Sequence, residues 1–172
     1  MIMRPIAFCL FATLLVFAFT RCSEDEKIPM NVGDVTGTWY EQDTLVEYNE
    51  ISRLEYTFKA DSSLEILRIE LDLHTGKVLG YRYKTVGDYM LVGDKLSFIN
   101  QVSYENDDTK GMFTDINSLQ PVPDENGISY TITCKFEDND TKLVFIYPPC
   151  GALANCIGSK TLLKGIKISE ND

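Results

Sequence analysis

Residues 51–73 read ISRLEYTFKADSSLEILRIELDL, and this stretch decides the fold. Leu54, Tyr56 and Phe58 share one parity, while Arg53, Glu55, Thr57 and Lys59 share the other. Alternation with period two describes a strand with one buried and one wet face, because successive side chains leave a strand on opposite sides. Ala60-Asp61-Ser62 is a short polar break with a second strand behind it, so the pair reads as an antiparallel hairpin. The second strand changes phase. Leu64 and Ile66 hold one parity, and Leu67, Ile69, Leu71 and Leu73 hold the other. A slip of one residue turns the whole apolar set of a strand over. The spacing therefore predicts a β-bulge near Ile66–Leu67, which bends the strand as a closed barrel requires.

The same alternation runs outward from this hairpin. Leu79, Tyr81 and Tyr83 alternate with Gly80, Arg82 and Lys84, and Ile128, Tyr130, Ile132, Cys134 and Phe136 alternate with polar residues. Short polar turns fall at His74-Thr75-Gly76-Lys77, Gly93-Asp94 and Asp138-Asn139-Asp140. Strands are expected at 37–42, 51–60, 63–73, 77–86, 88–92, 95–104, 127–137, 141–147 and 161–168, with 77–86 and 88–92 readable as one bent strand. No long segment carries a helical stripe. The expected fold is all-β: an antiparallel up-and-down β-barrel of eight strands, or nine with the bent one counted twice. A two-sheet sandwich is its structural rival. Two longer connections break the meander. One covers 105–127, with room at 112–119 for a short helix or an edge strand, and the other covers 148–160. Loops of such length are commonly functional.

The chain of 172 residues is one ordinary domain with an appendage. Its 16 basic and 26 acidic side chains give a net charge of -10, and the 151 residues after 1–21 carry −12. A protein that tracks phosphates needs a basic face, so nucleic acid is excluded as a partner. A hydrophobic content of 44% supplies a real core.

The appendage is an address. Residues 6–19 (IAFCLFATLLVFAF) are uncharged but shorter than the ~20 residues a spanning helix needs, and they fit the apolar core of a secretory signal. An uncleaved N-terminal anchor is the rival reading. Phe19-Thr20-Arg21-Cys22, followed by Ser23-Glu24-Asp25-Glu26, resembles a bacterial lipoprotein signal with a surface-export tract of the Gram-negative type. That resemblance implies a signal peptide at 1–21, lipidation of Cys22 and a polar tether at 22–35, which leaves 36–172 for the β-barrel domain. It also implies a place in the cell envelope, lipid-anchored to the outer membrane and either surface-exposed or periplasmic, with the membrane met through the anchor only. Ordinary cleavage after Thr20 would instead leave Cys22 a free thiol.

Gly37-Thr38-Trp39 opens the first strand and resembles the Gly-x-Trp start of lipocalin-like barrels. Residues 56–64 (YTFKADSSL), 89–96 (YMLVGDKL) and Leu162-Leu163-Lys164 resemble later parts of that family in the same order. The resemblance implies a barrel floor closed by Trp39, with Lys164 of the last strand over it as a cation–π partner.

The cysteines divide by position. Cys150 and Cys156 share one loop in an oxidising compartment and are expected to form a disulfide, while Cys134 lies on the apolar parity of its strand as a small hydrophobe. His74, the single histidine, reads as a solvated turn residue. Neither it nor the acidic runs at 105–108 and 137–140 has the spacing of a metal site. No nucleophile–base motif and no phosphate loop is present, so a catalytic site and a cofactor are not expected. The aromatic residues Tyr56, Phe58, Tyr81, Tyr83, Phe98, Tyr130 and Phe145 are expected inside the barrel. An eight-stranded barrel is just wide enough to be filled by side chains or to hold one small ligand. The expected function is a non-enzymatic binding module for a small apolar or amphipathic molecule. The alternative is a filled scaffold whose long loops bind a protein or a surface glycan.

Overall fold

The computed structural model describes residues 34–107, 109, 111–123, 127–149 and 158–168. All of them belong to one unit, Asn31–Asp172. The signal peptide at 1–21, the lipidation candidate Cys22 and the expected Cys150–Cys156 disulfide lie outside the described residues. Cys134 is a buried free thiol. No helix among the described residues is long and apolar enough to cross a membrane.

Nine strands form: β1 (Gly37–Leu45), β2 (Glu50–Phe58), β3 (Ser63–Asp72), β4 (Val78–Val92), β5 (Lys95–Glu105), β6 (Gln120–Pro121), β7 (Ile128–Glu137), β8 (Lys142–Ile146) and β9 (Ser159–Gly165). Each pairs antiparallel with its neighbour, and β4–β5 and β1–β9 close a barrel-like ring of eight strands. The two-residue β6 extends the edge of β5 beyond the start of β7. The closing seam is narrow, with three paired positions: Thr38 with Gly165, Trp39 with Lys164, and Tyr40 with Leu163.

Local chemistry sets the turns. The Asp61 carboxylate accepts from Ser63 N and Oγ in the β2–β3 turn, and Asp72 accepts from Thr75 N and Oγ1 and from His74 N in the β3–β4 turn. Gly93 opens the two-residue β4–β5 turn at φ 60, where a side chain would be strained. The expected strands 77–86 and 88–92 are one strand, β4, whose register against β5 shifts at Gly87. A Cβ at Gly87 would lie 2.8 Å from the Ile99 carbonyl oxygen, so this bend needs glycine.

The bulge expected in β3 near Ile66–Leu67 is not in that strand. The β2–β3 register runs unbroken from Glu50–Asp72 to Phe58–Leu64. The irregularities lie in β4, which carries the extra residues Leu79 and Arg82 opposite β3. The two apolar parities of β3 instead serve two separate cores. Leu64 and Ile66 join the core inside the ring. Leu67, Ile69 and Leu71 join a second core on the outer face with Tyr81 and Leu119, flanked by Ile51, Val78, Tyr104, Ile116 and Ile168. The 105–127 connection covers this outer core. Thr114 bridges to Tyr81, a 3-10 turn forms at Ile116–Ser118 with Asp115 accepting from Asn117 N at 2.8 Å, and β6 follows. Both structures that 112–119 had room for, a short helix and an edge strand, therefore occur in or beside it.

Candidate functional site

The interior of the ring has two unlike halves. At one end, Trp39, Phe58, Leu64, Leu96, Phe98, Leu143, Phe145 and Leu162 are all buried below 2 % exposure. Their rings touch: Phe58–Phe98 centroids are 6.3 Å apart, Phe98–Phe145 6.0 Å, and Tyr56–Phe145 5.4 Å edge to face. Trp39 Nε1 donates to the Val35 carbonyl at 2.7 Å, and Lys164 Nζ lies 5.3 Å from the indole centroid. This half is packed with side chains and forms the floor.

The other end is polar. Because β3 carries no bulge, Arg68 and Glu70 continue the inward parity of Leu64 and Ile66, opposite Leu54 and Ser52 on β2. Arg68 Nε donates to Ser52 Oγ at 2.7 Å, and Ser52 Oγ donates to Glu70 Oε1 at 2.8 Å. Arg82, the extra residue of β4, brings its Nε to 2.6 Å from the same oxygen. Glu70 is fully buried, and a buried carboxylate needs paired charge of this kind to be tolerated. Across the seam, Lys160 Nζ lies 2.5 Å from Glu41 Oε1. Thr85 and Ser103 share a hydroxyl hydrogen bond of 3.1 Å, and Gln101 is buried beside them.

Four tyrosines complete this end. Burial pushes the hydroxyls of Tyr56, Tyr83, Tyr130 and Tyr147 above their ordinary values, with Tyr147 at about 12. After burial, their mutual proximity and Glu41 raise Tyr56 and Tyr147 further, while Arg68 pulls against the rise at Tyr83. Neutral phenols at such values are hydrogen-bond donors at physiological pH. The connections at 46–49, 73–77, 106–127 and 147–158 all leave from this end, which is the mouth.

The expected ligand residues divide accordingly. Phe58, Phe98, Phe145 and Tyr56 belong to the packed core, with the Tyr56 hydroxyl close enough to Tyr83, Tyr130 and Tyr147 to feel them, while Tyr83 is partly buried against that core and Tyr130 is exposed. Tyr81 is corrected: the extra residue Arg82 turns it to the outer core, where it packs with Ile69 and Leu119 rather than inside the ring. Ser52, Arg68, Glu70 and Arg82 were not singled out from the sequence, because the expected bulge would have turned Arg68 and Glu70 to solvent. Parity with Leu64 and Ile66 finds Arg68 and Glu70, and parity with Leu54 finds Ser52, whereas Arg82 is the extra residue of β4 and carries no such signal. The two fully buried carboxylates, Glu55 and Glu70, lie on opposite faces of the sheet and do not form an acid pair. No group of described residues has the arrangement of a metal site.

Comparison of the chain with family models, with curated proteins and with solved structures gives no match.

Proposed function

We propose that this chain is a lipocalin-like, lipid-anchored, non-enzymatic binding module of the cell envelope, taking a small amphipathic molecule at the mouth of its barrel. The observation that carries the reading is the division of the interior. The floor is closed by contacting aromatic rings, whereas the mouth gathers tyrosines, two arginines and a buried carboxylate around inward-facing apolar residues. Apolar walls with a few convergent polar groups are the usual lining of a small-molecule site. The ligand therefore lies against Tyr56, Tyr83 and Tyr130 and goes no deeper than Phe145. Native mass spectrometry of protein purified from its host membrane should show a bound small molecule released on denaturation. A clean apo mass in every preparation would overturn the reading. The same spectrum tests the anchor, since an acylated Cys22 adds lipid mass to the N-terminal peptide.

A second reading, a scaffold that binds a protein or glycan through its loops, is favoured by the rim. Val46, Tyr48, Met112, Ile128 and Ile146 are exposed around the mouth end. Substitution of Tyr48 and Met112 with Ser should abolish partner capture on this reading and leave small-molecule binding intact.

A further inference from the structure

We infer that residues 165–168 form a releasable clasp on the outside of the barrel, and that letting go of this clasp opens the ring sideways at the β1–β9 seam. The seam is the narrowest joint of the ring. It holds three paired positions, against nine each for β1–β2 and β2–β3 and five each for β7–β8 and β8–β9. Beyond Tyr40 and Leu163 no backbone pair forms between β1 and β9, and the Lys160–Glu41 ion pair spans the gap. The Trp39–Lys164 pair sits in the middle of the seam, with the packed floor behind it. So short a ladder does not by itself hold a ring shut, and the chain continues past it.

Residues 166–168 leave the sheet at Gly165 and run over the outer face toward β2 and β3. A Cβ at Gly165 would lie 2.6 Å from the Tyr40 ring, so glycine is what lets the chain turn close against that ring. Arg53 of β2 lies 3.8 Å over the other contact of the turn, the same Tyr40 ring, and its Nη2 donates to the Ile166 carbonyl at 3.1 Å. Lys167 pairs with Glu65 of β3, and Ile168 packs against the outer core. Glu55 lies on the outward parity of β2 and is nonetheless fully buried, 3.0 Å from Arg53. Burial raises its pKa, and Arg53, the Ile168 N–H and Lys167 act against the rise, so two clasp residues face this carboxylate. The clasp therefore ties β9 to β2 and β3 through side chains and single backbone groups, with no strand ladder of its own, and Ile166 in its middle is 88% exposed. Segments held in this way open at a lower free energy than the strands they cover. Release parts Lys164 from Trp39 and gives the interior a side entrance separate from the mouth, whether or not the mouth takes a ligand.

The test is amide hydrogen exchange of the purified full chain and of two variants that leave the seam residues untouched. Arg53→Met with Glu55→Leu removes the grip on β2 without leaving a buried charge unpaired, and Lys167→Ala with Ile168→Ser removes the grip from the clasp side. In both variants exchange at Tyr40 and Leu163, the last paired position of the seam, should quicken at least tenfold. Exchange along β3–β4 and β7–β8 should stay within threefold of the unaltered protein. An unchanged seam in either folded variant overturns the clasp. An equal rise in every strand overturns it too, because the segment then supports the whole fold rather than the seam. Where one variant does not fold, the other decides, and loss of the folded state in both makes the segment part of the cooperative core and overturns the inference.

Discussion

Trp39 and Lys164 are direct cross-strand partners in the three-position seam that closes the ring, and Lys164 Nζ lies 5.3 Å from the indole centroid. The contact joins the first long strand to the last, so ring closure and floor packing depend on the same pair. Trp39→Ala leaves a large void in the floor and should destabilise the protein by about 3–5 kcal/mol. Lys164→Met keeps the stem and removes the charge, and should cost only about 0.5–1 kcal/mol. Urea unfolding of both variants checks the ratio. A Trp39→Ala loss below about 1 kcal/mol would show that the indole does not close the floor.

The outer core makes a second demand on the chain. Leu119 is buried against Leu67, Ile69, Leu71 and Tyr81, and it holds the 105–127 connection to the outside of β3. Leu119→Ala should cost about 2–3 kcal/mol. It should also raise amide exchange at Thr114, whose N–H donates to the Tyr81 carbonyl at 3.0 Å, while leaving β7 and β8 protected. Uniform loss of protection across all strands would show that the outer core is not a separate unit.

Acid should weaken the outer face through Glu65, which binds Lys167 and lies 3.4 Å from Lys84 Nζ. Burial alone would raise its pKa, but the two ammonium groups outweigh burial and hold the carboxyl below its usual 4.5. A carboxyl lowered in the folded state binds fewer protons than it does in the unfolded chain. Its contribution is therefore present above about pH 4.5 and is lost as the pH falls through the folded value. Glu65→Gln should cost roughly 0.5–1 kcal/mol at neutral pH and almost nothing near pH 3, because the pair is partly screened. An equal loss at both values would point to packing rather than charge.

Cys134 should be inert while the protein is folded. Burial pushes its thiol up to about 11. At pH 8 about one Cys134 in a thousand is then thiolate, against roughly one in four for an ordinary thiol near 8.5. Alkylation with iodoacetamide followed by peptide mapping should leave Cys134 unmodified in native protein and modify it in denaturant. Rapid native labelling would mean that β7 opens readily.

Much of the fold was legible because strand alternation and turn chemistry are local. The parity of Leu54, Tyr56 and Phe58, the Asp61 turn and the interruption at Gly87 each follow from a few neighbouring residues, and each holds in the structure. The candidate site was only half legible. Tyr56, Tyr83 and Tyr130 were found by parity, but Arg68 and Glu70 were hidden by the reading of β3 as a slipped strand.

The sequence by itself determined an all-β meander, its turns, its acidic surface and the inward row from Leu54 to Phe58. Only the tertiary structure decided what the two apolar parities of β3 mean. Alternation shows which residues share a face. It does not show which face is covered when both are apolar, because the cover comes from elsewhere in the chain. Leu119 lies some 50 residues beyond Ile69 in sequence, yet it packs in the same outer core and removes that face from water. With the outer face buried, β3 keeps an unbroken register with β2, and Ser52, Arg68, Glu70 and Arg82 meet at the mouth.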